Sequence, residues 1–364
     1  MATTRERANV EGASLQRDSL TLYLIALLVV LSLPRSVYHQ PSGKHRHHHK
    51  RRAAVTTESP KKASRMLAKP DDRVLAKPAR RPPESPPALE ALGLETAEPV
   101  SPTGVDLSAY EGVATWIDIY NPRLWTNPSA TVRRLARKGA EAVFVQTTNY
   151  SQRGLVWDPD GVAEFIDSAH AAGLKVVGWY VPSFARPKID LRRSLAAIEF
   201  QTPSGERFDS FALDIEATVV RSIWLRNHRL LRLTREIRTA TGRDYPLGAI
   251  IPDAASRYWP EFPYRELHRR YDVFIPMGYW TFQTRGPKAA HDHTAANIRR
   301  IRRGTRDPKV PIHLIGGLAN DAGRREVRAF VRAARRHRVL GASLYDFPIT
   351  GRGDWSALAR VRRR

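Results

Sequence analysis

The sequence predicts an α/β chain in which residues 104–364 close into a (β/α)8, or TIM, barrel, preceded by a hydrophobic segment and a disordered linker. Three observations predict it. From residue 112 onward, short apolar runs alternate with amphipathic segments, the pattern of βαβ units and a parallel sheet. Eight such units fit into about 250 residues, the usual size of this barrel. Many of the 26 prolines fall between Pro34 and Pro102, which separates a poorly folding N-terminal part from a globular remainder.

The first strand is expected at 113–118, VATWID. Asn127 then caps a helix, Pro128 occupies its first turn and Gly139 closes it. The second strand is 141–146, and a helix over 161–172 ends at Gly173. The third strand, 174–181, reads LKVVGWYV, and a helix over 191–200 leads to the fourth, FDSFALDIE at 208–216. A long helix over 219–241 ends at Gly242. Strands five and six are expected at 245–251 and 271–277, followed by a helix over 295–303. The seventh strand, 310–316, precedes an arginine-rich helix at 324–337. The eighth strand, 341–347, precedes a last helix at 355–361. An open doubly wound sheet is the rival fold. It lacks its glycine-rich phosphate loop, because IYNPRLW follows the first strand.

Residues 1–19 mix basic and acidic side chains. Residues 20–33, LTLYLIALLVVLSL, carry no charge. As a helix they span about 21 Å, short of a hydrocarbon core of about 30 Å. That length suits a signal h-region or an uncleaved signal anchor. The basic run at 44–52, KHRHHHKRR, argues for the cytoplasmic side; the reading adopted is export. Residues 34–103 contain LAKP twice and RRPPESPP. Such composition buries too little apolar surface to offset chain ordering, so a tether is expected. The expected location is the cell envelope, secreted or membrane-anchored, with the membrane a partner through the N-terminal segment.

Net charge is +24, with arginine supplying most of the 60 basic side chains. The excess fits an anionic wall polymer, with arginine on solvated helix faces as the plainer reading. No zinc-finger, homeodomain or RNP pattern supports a nucleic-acid partner. Absence of cysteine removes disulfides, thiolate metal sites and cysteine nucleophiles. The His47–His49 tract reads as solvated basic chain. His291 and His293 stand before a helix that Asp292 or Thr294 would cap, so no metal and no cofactor is expected.

Barrel active sites gather at the C-terminal strand ends. Those ends carry Trp116 and Asp118, then Gln146 and Asn149, then Trp179 and Tyr180. Asp214 and Glu216 end the fourth strand, Met277, Tyr279 and Trp280 the sixth, and Tyr345 and Asp346 the eighth. Aromatic rings beside carboxylates suit sugar binding. Asp214 and Glu216 stand two apart, so strand alternation puts both on one face, about 6.6 Å between α-carbons. Two carboxyls that close raise one pKa, which keeps a general acid protonated near neutral pH. A barrel arginine paired with one of them would account for the acids equally.

FDSFALDIE with the later PMGYW resembles glycoside hydrolase family 18 and its DxxDxDxE and Met-x-Tyr motifs. Asp209, Asp214 and Glu216 match the first, third and last acidic positions, Met277 and Tyr279 match the other pair, and Ala212 replaces the second Asp. The resemblance implies that Glu216 donates the proton, that Asp214 orients a nucleophilic N-acetyl group of the substrate, and that Tyr279 helps hold it. The chain is also similar to the lysozyme-like family 25, which implies an acid set of Asp118, Asp214 and Glu216. Both imply a hydrolase acting on a cell-envelope or N-acetylated polysaccharide. The alternative is a barrel that binds glycan without cleaving it, or a structural envelope protein.

Overall fold

The computed structural model describes residues 104–361 apart from Arg257. In chain order the elements are β1 (Gly112–Ile117), α1 (Pro122–Trp125), α2 (Pro128–Lys138), β2 (Ala142–Asn149), α3 (Pro159–Ala171), β3 (Lys175–Val181), α4 (Pro187–Ile198), β4 (Ser210–Asp214), α5 (Ile223–Thr241), β5 (Leu247–Ile251), α6 (Tyr264–His268), β6 (Val273–Pro276), α7 (Trp280–Gln283), α8 (Pro287–Thr305), β7 (His313–Leu318), α9 (Arg324–Arg336), β8 (Gly341–Tyr345) and α10 (Arg352–Leu358).

The strands run parallel in the order β6-β5-β4-β3-β2-β1-β8-β7. Bridges Phe274–Ile312 and Met277–Ile315 join the two ends of that order, so the sheet closes. An open doubly wound sheet would keep two edges and reverse its order at a switch point. Strand residues are buried on both faces because helices cover the outside and side chains fill the inside. Alternation divides them: Ala114, Trp116, Phe144, Val177, Trp179 and Ala212 pack within the barrel, while Val113, Ile117, Val143, Tyr180, Phe211 and Leu213 pack under the helices.

A polar plug fills the N-terminal end of the barrel. The Tyr110 hydroxyl shares a hydrogen with Ser210 Oγ at 2.5 Å, and its carbonyl lies 2.9 Å from His313 Nδ1. Ser343 Oγ meets His313 Nε2 at 3.1 Å and accepts from Trp116 Nε1 at 2.9 Å. Burial pulls the His313 pKa down to about 4, so the ring is neutral at physiological pH. Phe144 stacks on Trp116 at 4.2 Å above this plug.

Helix starts follow local chemistry. Asn127 Oδ1 accepts from Ala130 N at 2.7 Å, and Gly139 closes α2 with φ 81°, in the left-handed region. Ser222 Oγ accepts from Leu225 N at 3.3 Å, so α5 begins at Ile223 and residues 219–222 belong to the preceding loop. The expected helix at 295–303 begins earlier, at Pro287. His291, Asp292 and His293 therefore lie inside it, and neither Asp292 nor Thr294 caps it. Instead Lys288 pairs with Asp292 at 2.5 Å, and Thr294 Oγ1 donates to the Ala290 carbonyl at 2.7 Å.

The expectation of a membrane-spanning or anchoring element is corrected: among the described residues no helix is long and apolar enough to cross a membrane. The longest, α5 and α8, are interrupted by charged and polar residues along their length. The segment at 20–33, the basic tract at 44–52 and the linker at 34–103 lie outside the described residues.

Candidate active site

β4 brings Asp214 to the C-terminal mouth by simple parity. Ala212 lies in the inner layer, so Asp214, two residues on, faces the same way. Asp214 is 5% exposed, and its Oδ1 has no hydrogen-bond partner among the described residues. Loss of water, then the nearby Glu216, push its pKa well above the ordinary aspartate value. Glu216 stands in the turn after β4, where Tyr258 Oη donates to its carbonyl at 3.1 Å. Solvent reaches the Glu216 side chain. Its pKa is nonetheless raised, because protein crowds the mouth around it. No lysine, arginine or histidine among the described residues forms an ion pair with either carboxyl, so the arginine clamp that would account for them structurally is not found there.

β1 contributes a third carboxyl. Asp118 is 9% exposed and accepts from Tyr120 N at 2.9 Å and from Tyr345 Oη at 3.0 Å. Burial outweighs these bonds and raises its pKa. The Tyr120 phenol is pushed up by burial and then by the charges of Asp118 and Glu216, which places all three groups around one space. Asn149 Nδ2 donates to Tyr120 Oη at 2.6 Å, while Asn149 Oδ1 ties down Ser151 and Gln152. Gln146 Oε1 accepts from Ile119 N at 3.2 Å and so fixes the strand that carries Asp118.

An aromatic band frames the acids. Trp179 meets Trp116 edge-on at 5.7 Å, Trp116 meets Tyr345 at 6.3 Å, and Tyr345 meets Tyr279 edge-on at 6.2 Å. Met277 packs in the same inner layer. The Trp179 Nε1 is buried without a partner among the described residues. Asp346 is buried at the end of β8, where its carbonyl accepts from Thr350 Oγ1 at 2.6 Å.

Two expected site residues are placed elsewhere. Tyr180 has the opposite parity to Trp179; it points under α4 and donates to Asp190 Oδ1 at 2.6 Å. Trp280 is fully buried against Phe330 of α9, with ring centroids 5.1 Å apart, and donates to Glu326 at 3.4 Å. Asp209, the first acid of the family 18 match, lies at the opposite end of β4 from the mouth. There it bonds His170 at 2.9 Å, Lys175 at 2.8 Å and Val176 N at 2.7 Å, which hold its pKa down despite burial. Asp253 is tied to Asn297 at 2.8 Å and lies 2.9 Å from His293 Nε2.

The structure adds residues that the sequence reading missed. Among the described residues, the large apolar side chains that stay exposed are Tyr120, Tyr150, Leu155, Ile189, Val219, Trp224 and Phe282. Every one stands on a connection leaving a strand's C-terminal end, or in a helix directly following one. Single exposed apolar residues are ordinary; their confinement to one face of the barrel is the informative part.

No family model and no curated protein sequence matches this chain. Solved structures do. The endo-beta-1,4-mannanase from Thermotoga petrophila superposes with a TM-score of 0.53 at 9% identity, over 66% of this chain and 68% of that one. The spore cortex-lytic enzyme of Bacillus cereus gives 0.52 at 8%, over 69% and 74%. A chitinase from Bacteroides thetaiotaomicron gives 0.51 at 12%, over 69% and 94%. At such identity the likeness is one of fold, and the chain shares the (β/α)8 barrel of these proteins.

Proposed function

We propose that the barrel is a glycoside hydrolase acting on a cell-envelope or N-acetylated polysaccharide, with Glu216 as general acid. The observation that carries this reading is the pairing at the mouth of a solvent-reached Glu216 with a buried, unpartnered Asp214. A carboxyl kept protonated towards neutral pH protonates a glycosidic oxygen, and a neighbouring carboxyl stabilises positive charge that develops at the sugar. In the family 18 manner, Asp214 would orient the substrate's N-acetyl group, and Tyr279 would hold it. Buried Asp214 Oδ1 and Trp179 Nε1, an acceptor and a donor without partners, are groups that a seated sugar would satisfy. Tyr345, Tyr120 and Trp224 offer ring surface for pyranose faces, with Asp118 and Asn149 as polar contacts. The likeness to glycosidase barrels supports this reading at the level of fold.

The experiment is release of reducing ends from purified peptidoglycan, chitin and mannan by the protein and by Glu216→Gln. Loss of at least a hundredfold in kcat with KM nearly unchanged is expected on the true substrate. A Glu216→Gln protein as active as the parent overturns the assignment. One observation favours a second reading, a barrel that binds glycan without cleaving it: Ala212 leaves nothing beside Asp214 to partner its Oδ1. Saturable glycan binding with no reducing ends released would establish that alternative.

A further inference from the structure

A second concave surface runs from the mouth down the outside of the barrel, between α1, α2 and the segment from β8 into α10. It encloses about 950 Å³, at the upper end of the range of about 300–1,000 Å³ typical of ligand sites. Its cations are Arg123, Arg134, Arg137, Lys138 and Arg352, all exposed, and no carboxylate lines it. None of the five forms an ion pair among the described residues. Arg134 is pre-positioned: its guanidinium donates to Thr131 Oγ1 at 2.9 Å and lies 5.6 Å from the centroid of the Phe347 ring. Five like charges around one hollow repel one another, and an oxyanion placed among them relieves that repulsion. Guanidinium forks match carboxylate and phosphate geometry.

The groove joins the mouth through the chain. Asn121 follows the Asp118–Tyr120 edge, and Phe347 follows Tyr345 and Asp346 directly. We infer that this groove binds an acidic glycopolymer, one whose repeat carries a carboxylate or a phosphodiester, alongside whatever strand occupies the mouth. The inference rests on reading the mouth as a glycan site but not on its being catalytic. A single-stranded nucleic acid fits less well, because it needs open ring faces for base stacking. The groove's two rings, Phe347 and Trp355, are 8% and 4% exposed and pack against each other at 69°.

Calorimetric titration of the full chain tests this with polygalacturonate as the carboxylate probe, poly(glycerol phosphate) as the phosphodiester probe, and oligothymidylate as the nucleic-acid rival. Two triple variants are compared. Arg137→Gln/Lys138→Gln/Arg352→Gln removes three of the groove's five cations, whereas Arg328→Gln/Arg332→Gln/Arg335→Gln removes equal charge from the exposed face of α9. The expected result is saturable binding of at least one glycopolymer probe, tenfold or more weaker in the groove variant, with a shallower salt dependence, and within twofold of the parent in the α9 variant. Whichever probe binds more tightly identifies the oxyanion. Equal loss in both variants assigns the affinity to net charge and overturns the inference. So does failure of both glycopolymer probes to saturate, or tighter binding of oligothymidylate through the same groove residues. Reducing-end release by the parent and Glu216→Gln reads the mouth separately, so either reading fails without the other. Melting temperatures of both variants confirm that they fold.

Discussion

Asp214 is a carboxyl whose placement costs stability, and Asp214→Asn measures that cost. The unfolded chain titrates this group near 3.8, whereas burial and Glu216 raise it well above that value in the folded barrel. The sign follows from proton linkage: a carboxyl with a raised folded pKa favours the fold while protonated, and that advantage fades as pH climbs through the folded value. Asparagine cannot ionise, so it escapes the loss. The Oδ1 atom is buried without a donor among the described residues. Asparagine leaves that atom unsatisfied too, so the difference between the two is the extra cost of the charged form, of the same order as the ~1–3 kcal/mol of an unsatisfied buried polar group. The variant should therefore be more stable than the parent by about 1–3 kcal/mol at pH 8, or about 2–10 °C in Tm for a domain of this size. The advantage should shrink towards zero below pH 4. Thermal unfolding followed by circular dichroism from pH 3.5 to 8.5 reads both limbs. Hydrolysis by the same protein, if the site is catalytic, should fall sharply, so stability and activity move in opposite directions. A variant that melts at or below the parent's temperature at pH 8 would refute the account, because Asp214 would then have a partner that lowers its cost.

Other residues give sharper structural readings. His313 is displaced from 6.5 to about 4 by burial; at about 1.4 kcal/mol per unit, about 3 kcal/mol of stability should vanish between pH 6.5 and 4, and His313→Gln should flatten that acid limb in the same unfolding scans. Asp209→Asn should destabilise by about 2 kcal/mol while leaving substrate KM unchanged, because its bonds to His170, Lys175 and Val176 N lie at the base of the barrel. The Asp209 contribution is present above pH 3.8 and lost on acidification; the raised pKa of His170 adds stability below 6.5 that fades as pH rises, so the difference in Tm should peak between these values. Trp224→Ala, at a side chain 49% exposed, should weaken binding of long oligosaccharides about tenfold in fluorescence titrations with Tm within a degree.

The barrel was legible because each strand is a short apolar run closed by a glycine or a capping residue, and parallel strands buried on both faces leave that mark. The inward face of Asp214 was legible for the same reason, since side chains alternate along β4, whereas Glu216 lies in the turn beyond the strand. That rule also shows why Tyr180 fails as a mouth residue: with Trp179 facing inward, its neighbour must face the helices, where Asp190 receives its hydroxyl. Trp280 is a different case. The chain leaves β6 and turns into α7, so parity no longer governs, and the indole fills the space under Phe330. The start of α8 escaped because polar residues at 291–294 imitate a cap; Pro287 is the true first-turn signal. The rim formed by Tyr120, Tyr150, Trp224 and Phe282 had no local signature. Exposure depends on what the fold leaves uncovered, and Trp224 in particular reads as one more apolar position of an amphipathic helix.

The distribution of charge then constrains what the mouth accepts. The chain carries +24, yet Asp118, Asp214 and Glu216 stand together with no ion-paired cation among the described residues, and all three are displaced towards the protonated state. Such a site meets neutral sugars without penalty once it holds its protons. An anionic group brought to its centre would raise those pKa values further and meet nothing to pair with. Positive charge is instead collected outside, in the groove lined by Arg137, Lys138 and Arg352 and over the outer face of α9. A polymer with both neutral and acidic repeats would therefore seat its neutral stretch over the acids and its charged stretch in the groove. The physical consequence is a register: the bond offered to Glu216 would be set by the distance along the polymer from its nearest oxyanion.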